Sequence, residues 1–275
     1  MLWLLRHYHL SDQQAALLAD SFAEHEYHDF TQSSHVAGGQ ELTCYGRDGA
    51  LPTAIEELLQ PYSMQSQTLV DERDLLRPYD PQQPVWLRDD VVLLGDGMQA
   101  PENASIRIPL HSGPAFGDGR HPTTRLAAAM MAHVPWHLGL RTIDMGAGSG
   151  VLGILAHHCG AQLCALTDID ADSLRSCREN LQRNNCPSSL AQHAHLLQGL
   201  HLDPVEVIIA NIYAELLEEM LLSPECHTLL PQGWMILSGI SHQKIAHLRL
   251  ILKQHGWMIQ DECDEAWWHA LCVHK

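Results

Sequence analysis

Lysine is nearly missing from this chain. Lys244, Lys253 and Lys275 are the whole set, and Lys plus Arg total 16 against 33 Asp plus Glu, a formal charge of −17. A chain so short of cations repels phosphate backbones, which excludes a nonspecific nucleic-acid binder. Cysteine pairs of C-x-x-C spacing are absent as well. The eight cysteines, at 44, 159, 164, 177, 186, 226, 263 and 272, therefore point to neither a zinc ribbon nor a thioredoxin-type motif. Most lie in apolar contexts, as reduced buried thiols do. No apolar run reaches the roughly 18 residues of a membrane span. Met1–Leu5 is apolar, but Arg6, His7 and His9 interrupt it, too soon for a secretory core. A cytoplasmic location, with no membrane partner, is the expectation. The 20 histidines do not converge on a recognisable ligand spacing, so no metal site is expected.

What is present is uneven. Residues 1–100 hold 16 acids and 5 bases, a net of −11, while 101–275 hold 17 acids and 11 bases, a net of −6. Short elements alternate in the acidic part. Leu2–His9 reads as a strand, and Ser11 as the N-cap of a helix through Glu24. Strands are expected at His28–Gln32 and Glu41–Tyr45 around Gly38-Gly39. Pro52 then opens a helix to Leu59, and Ser63–Val70 forms a last strand. The order β-α-β-β-α-β is ferredoxin-like. This gives a first domain over 1–75. A linker over 76–104 comes next, carrying Pro78, Pro81 and Pro84, an extended segment at Val85–Leu94 and a turn at Gly95-Asp96-Gly97.

From residue 105 to 275 the pattern is that of a parallel α/β sheet covered on both faces. Strands are expected at Arg141–Met145, Leu163–Thr167, His195–Gln198, Glu206–Ile212 and Trp234–Ser238. Helices are expected at Val151–Cys159, Ala171–Arg183, Ala214–Leu222 and His242–His255. Trp257–Gln260 and Trp267–Val273, separated by an acidic turn at Asp261–Glu265, close the sheet with an antiparallel edge.

The sharpest local signal is Thr142-Ile143-Asp144-Met145-Gly146-Ala147-Gly148-Ser149-Gly150, a strand, a glycine turn and a helix start. Such a turn lets backbone approach a ligand, and the helix N-terminus offers N–H groups. Gly148, Gly150 and Gly153 satisfy G-x-G-x-x-G, and Asp168 stands 20 residues after Gly148, a spacing that alone supports a dinucleotide. Asp144 at the strand tip argues the other way. A carboxylate there repels a pyrophosphate and suits the α-amino group of S-adenosylmethionine. With either ligand, Asp168 can accept from both ribose hydroxyls.

Two further segments carry a resemblance. Pro114-Ala115-Phe116-Gly117-Asp118-Gly119-Arg120-His121-Pro122-Thr123-Thr124 precedes the glycine loop, and Ala210-Asn211-Ile212-Tyr213-Ala214 ends the fourth strand. With Leu237-Ser238-Gly239-Ile240, they resemble the ribosomal protein L11 methyltransferase family, whose members use S-adenosylmethionine. The resemblance is specific over 113–240. It looks looser toward the C-terminus, where Trp268 and Lys275 are similar to the family's ending. It implies a class I methyltransferase sheet, Rossmann-like, preceded by a ferredoxin-like substrate-recognition domain. It places donor contacts on Thr124, Gly146, Asp168 and Asn211, with Phe116 as an apolar wall and His121 beside it. Asp118 departs from the family's usual Thr. Asn211-Ile212-Tyr213-Ala214 is not the Asn-Pro-Pro-Tyr that grips amides and base amino groups, so Asn211 and Tyr213 are expected to position an amine acceptor. The resemblance implies methylation of lysine or N-terminal amines of a basic ribosomal protein. A class I methyltransferase acting on another protein or a small molecule, and a non-catalytic donor-binding module, remain alternatives.

Overall fold

A computed structural model describes residues 2–25, 27, 30–34, 39–71, 83–111, 113, 115–265 and 268–275. The chain divides into two compact units, Met1–Asp80 and Pro81–Lys275.

The first unit runs β1 (Leu2–Leu10), α1 (Asp12–Glu24), β2 (Phe30–Ser34), β3 (Gln40–Arg47), α2 (Thr53–Leu59) and β4 (Met64–Asp71). Its sheet has the order β2-β3-β1-β4, with every pair antiparallel. This is the ferredoxin-like arrangement read from the sequence. Ser11 and Gln14 form a reciprocal capping box, which starts α1 where expected. Leu18, Phe22, Leu42 and Ile55 are buried in its core. The ring of Phe22 lies 5.1 Å from Tyr27 and 5.0 Å from Phe30, both edge-on. His28 and Asp29 of the expected second strand, and Gly38 of the expected turn, lie outside the described residues.

The second unit opens with β5 (Val85–Arg88), β6 (Val91–Leu94) and β7 (Ile106–Pro109), which form a sheet of their own. Residues 83–104, expected as linker, are instead a β-hairpin and its following loop, with Leu87, Val91 and Leu93 packed in the core of this unit. The prolines obscure it. Pro78 and Pro81 lie outside the described residues, and Pro84 stands just before β5, where its missing N–H breaks no ladder.

The large sheet is built from β8 (Arg141–Met145), β9 (Gln162–Asp168), β10 (Ala191–His193), β11 (Val207–Asn211), β12 (Trp234–Ser241), β13 (Met258–Glu265) and β14 (Trp268–His274). Their order is β10-β9-β8-β11-β12-β14-β13. All pairs through β12 are parallel, and β14 runs antiparallel to both neighbours. The helices are α3 (Pro122–Met130), α4 (Val151–His158), α5 (Ala171–Arg183), α6 (Ala214–Leu222), α7 (Pro224–Leu229) and α8 (His242–Gln254). Residues of α3 and α4 pack in one core and residues of α6, α7 and α8 in another, so successive residues of the central strands alternate between two interiors. Ile208 joins one core and Ile209 the other.

Three expectations shift. His195–Gln198 is a turn, and the strand lies earlier at Ala191–His193, too short to announce itself by alternation. Asp261–Glu265 is strand, not turn. β13 is the sheet's outer strand, so acidic side chains there keep access to solvent. Trp267 lies outside the described residues. The helix α3 is an addition to the expected set, although Pro122 occupies its first turn with His121 as N-cap. Among the described residues, no helix is long and apolar enough to cross a membrane.

Asn180, on the inner face of α5, ties the site's framework together. Its Oδ1 accepts from the His111 N–H at 2.7 Å and its Nδ2 donates to the Ser149 carbonyl at 2.9 Å. It is fully buried. Asn180→Ala leaves both backbone groups without this partner, and the expected loss of stability is about 2–4 kcal/mol from two such groups. Urea unfolding of the variant against the parent checks this; a change below about 0.5 kcal/mol refutes it.

Candidate active site

The strand order reverses between β8 and β11, and a ligand crevice is expected outside the carboxyl ends of strands at such a point. A cavity of about 450 Å³ opens there. Gly146 and Gly148 bring main chain to it from the end of β8. Asp168 and Ile169 come from the end of β9, Ala194, His195 and Leu196 from the turn after β10, and Asn211, Ile212 and Tyr213 from the end of β11. Phe116, His121 and Thr123 line the wall beside α3, and Trp268 comes from the start of β14.

Gly146 turns the chain at φ 67°, where a Cβ would also stand 2.2 Å from Ile212 Cγ2. Only glycine meets both demands. The Asp168 carboxylate accepts one backbone N–H on each oxygen, from Gly148 at 2.9 Å and from Asp170 at 2.9 Å. Each oxygen keeps a second lone pair for a ligand hydroxyl. The segment before α3 is fastened to the glycine loop by main-chain carbonyls. Ser149 N–H donates to Phe116 O at 2.8 Å, and Ser149 Oγ donates to Gly117 O at 2.7 Å.

Asp144, expected beside the α-amino group of a donor, stands elsewhere. Strand alternation turns it toward α4, beneath the loop, where its Oδ2 accepts from Gly153 N–H at 2.8 Å. It is 1% exposed and does not line the cavity. Burial pushes its carboxyl up to about 7, with the Asp168 charge adding to the rise and the Gly153 N–H opposing it. The third glycine of the G-x-G-x-x-G pattern is thus a packing position: a Cβ on Gly153 would lie 2.7 Å from Leu166 Cδ2 and 3.0 Å from Asp144 Oδ2.

Thr124 is likewise fully buried, behind the wall and not on it. Its Oγ1 accepts from Asn211 Nδ2 at 3.4 Å, a long contact that turns the Asn211 carbonyl oxygen away from Thr124. Its neighbour Thr123 is the one that lines the cavity. Tyr213 is 70% exposed at the rim, immediately before α6. Phe116 is half-exposed, with its ring 5.1 Å from His121, which in turn lies 5.3 Å from Trp268.

The bonding of His121 sets its role. Its Nδ1 accepts the Thr123 N–H at 3.3 Å as the cap of α3 and lies 2.8 Å from Thr123 Oγ1. Burial holds its pKa below the usual imidazole value, helped by Arg125 and opposed by Asp118 and Glu265. A neutral ring that accepts at Nδ1 carries its proton on Nε2, so that nitrogen donates. With Nδ1 engaged by the cap, His121 presents its ring to the cavity as part of the wall.

Of the residues that the sequence singles out, Phe116, His121, Gly146, Gly148, Asp168, Asn211 and Tyr213 all meet at the cavity. Sequence reasoning misses Ile169, Ala194, His195 and Leu196 as lining residues. Ile169 directly follows the acid that ends β9, a signal sufficient to find it. The other three depend on the true position of β10. Among the described residues, Asp168 is the one carboxylate that lines the cavity, and no Lys or Arg lines it.

The strand order, the glycine turn after the first strand of the sheet and the acid after the second define the class I methyltransferase fold. The chain belongs to the ribosomal protein L11 methyltransferase (PrmA) family, whose model matches residues 53–275. It is similar to the ribosomal protein L11 methyltransferase of Limosilactobacillus reuteri, at 36% identity over 61% of this chain and 52% of that protein. The protein of the same description from Hydrogenovibrio crunogenus is 31% identical over 75% of this chain and 68% of its own length. The match thus spans about half the length of the first of these relatives. A crystal structure of the ribosomal protein L11 methylase from Lactobacillus delbrueckii subsp. bulgaricus superposes with a TM-score of 0.62 at 27% identity, covering 69% of this chain and 97% of that one.

Asp144 generates a pH prediction. Its folded pKa lies above the unfolded value of 3.8, so its contribution to stability is complete below 3.8 and is lost as the pH rises through about 7. Asp144→Asn keeps an oxygen for Gly153 N–H and removes the titration. The variant should therefore gain stability relative to the parent between about pH 4 and pH 7, with no further gain above about pH 8. Urea midpoints at about pH 5 and pH 8 test this, and an equal parent–variant difference at both would remove Asp144 as the titrating group.

Proposed function

We propose that the second unit binds S-adenosylmethionine and transfers its methyl group to an amine of a protein, a lysine or N-terminal amine of a ribosomal protein. The observation that carries the donor assignment is the sheet order at the cavity: β14 runs antiparallel between β12 and β13 after an otherwise parallel series, the class I methyltransferase arrangement. The cavity holds the Asp168 carboxylate with His121 and His195, and among the described residues no Lys or Arg lines it. A sulfonium with a ribose diol fits such a lining. The donor supplies an electrophilic methyl whose departure leaves a neutral thioether. The protein's part is to hold the partners in line and exclude water. Asp168 accepts from the ribose hydroxyls, Gly146 and Gly148 let main chain approach, and Ile169 and Leu196 offer apolar surface to the base. Asn211 Oδ1 accepts from the acceptor amine. That amine must be neutral to attack, and a low-dielectric wall lowers its pKa. Tyr213 at the rim positions the incoming chain. Family membership and the relatives' descriptions support a ribosomal protein as the acceptor.

S-adenosylhomocysteine at saturation should raise the melting temperature, and NAD should not. Asp168→Ala should weaken S-adenosylhomocysteine by about 2–3 kcal/mol, the range for hydrogen bonds to a charged group. Stabilisation by NAD instead, or unchanged affinity in calorimetry of the variant, rejects the donor assignment.

The first unit is assigned the recruitment of a basic substrate. Of the net −11 in residues 1–100, Met1–Asp80 carries −9, from 13 acids and 4 bases. Long-range attraction of this kind fades as the Debye length falls from about 10 Å at 0.1 M salt to about 3 Å at 1 M. Methylation of ribosomal protein by the full chain should lose rate at low acceptor concentration over that range, while affinity for S-adenosylhomocysteine holds. Salt-independent capture of the acceptor would count against it.

A further inference from the structure

The three rings on one side of the cavity come from separate pieces of chain. Phe116 and His121 belong to the segment that leads into α3, and Trp268 begins β14. Their contacts, 5.1 Å from Phe116 to His121 and 5.3 Å from His121 to Trp268, form a continuous wall. Ring contacts of this kind are individually weak, so the spacing of the pieces also depends on what fastens them, which includes the Ser238 Oγ bond to the Thr123 carbonyl at 2.8 Å.

Arg125 stands where it can fasten them as well. It lies on α3, one turn after the His121 cap. Its Nη1 donates to the carbonyl of Arg120, the residue before His121, and its Nη2 and Nε donate to the two oxygens of Glu265, the second at 3.3 Å. Glu265 ends β13 and pairs directly with Trp268 across the β13–β14 ladder. One guanidinium thus grips the backbone next to His121 and the strand end next to Trp268. A planar fork of N–H groups can do this, whereas an ammonium on a flexible stem cannot hold three acceptors in fixed directions. Neither side chain lines the cavity.

The donor half is secured independently. Asp168 holds Gly148, and Ser149 holds Phe116 and Gly117 through their carbonyls. The latch therefore acts on the end of the segment next to His121, not on the glycine loop.

We propose that Arg125 and Glu265 are positioning residues, a latch that sets the ring wall of Phe116, His121 and Trp268 against which the methyl acceptor is placed. The acceptor role of the wall rests on the proposed methyl transfer; the latch itself is a statement about geometry and has its own readout.

The test uses the full chain with Glu265→Gln, which keeps the shape and loses one charged acceptor, and Glu265→Ala, which loses both. Amide hydrogen exchange read by mass spectrometry over peptides covering 122–127, where the Thr124 and Arg125 N–H groups close on the His121 carbonyl, should be at least about fivefold faster in Glu265→Ala, with Glu265→Gln intermediate, while the 146–150 loop exchanges as in the parent. In methyl transfer to ribosomal protein, the acceptor KM should rise about five- to tenfold in Glu265→Ala. The affinity for S-adenosylhomocysteine should stay within about twofold in both variants. Unchanged exchange over 122–127 overturns the latch whether or not the chain methylates anything. Faster exchange with an unchanged acceptor KM and a lowered donor affinity overturns the acceptor role of the wall. A parent that transfers no methyl group refutes the proposed function, and the exchange result still decides the latch.

Discussion

The close approach of α4 to β8 is the constraint on which the site rests. A helix joined to a strand through a three-glycine turn must come down onto the sheet almost at once. It can do so only because Gly153 has no side chain, and the room left is filled by the Asp144 carboxylate. That carboxylate meets an N–H of the helix's first turn, where the backbone partial charge is positive. The contact compensates part of the cost of burying an acid and fixes the height at which Gly146 and Gly148 present their backbone. The Asp168 carboxylate then finds the Gly148 N–H in reach, and Ser149 finds the carbonyls of Phe116 and Gly117. Each later contact assumes the earlier one.

Buried polar groups elsewhere in the second unit extend this framework. Asn180 reaches the Ser149 carbonyl from one side and His111 N–H from the other. Asn184 donates to the Pro109 carbonyl at 2.8 Å, tying the end of β7 to the same helix. Ser238 Oγ donates to the Thr123 carbonyl at 2.8 Å, fixing the start of α3 to β12. The small sheet of β5, β6 and β7 supports the segment before α3 from beneath: a Cβ on Gly119 would lie 2.6 Å from Leu93 Cδ1. Main-chain groups are the usual partners in this framework, and side chains of modest size supply the bridges.

Much of this is legible in the sequence, and the failures have physical causes. The limits of α1 and α5 agree with their caps, and those of α6 and β8 with periodicity, because these elements bury one stripe or both faces. Asp168 and Gly146 are legible because a glycine turn between a strand and a helix has few other uses. Asp144 escapes because a strand's last residues alternate between two faces, and a one-residue difference decides between cavity and core. Thr124 and Thr123 form the same trap in a helix, where adjacent positions differ by about 100°. β10 escapes because so short a strand shows no period, and with it go His195 and Leu196. Arg125 and Glu265 stand 140 residues apart, and nothing local to either marks the pair.

Asp118 illustrates the consequence of building a wall out of carbonyl oxygens. It stands where the family resemblance leads one to expect threonine, yet its carboxylate turns back to Arg120, accepting from the N–H at 3.1 Å and from Nη1 at 2.7 Å, and does not reach the cavity. The segment offers the glycine loop only the oxygens of Phe116 and Gly117, which every amino acid possesses. A binding site assembled this way conceals itself from comparison by side chain. A position such as 118, whose side chain turns back onto its own segment, can change while the surface met by the ligand stays the same, and a changed letter there carries little news of a changed substrate.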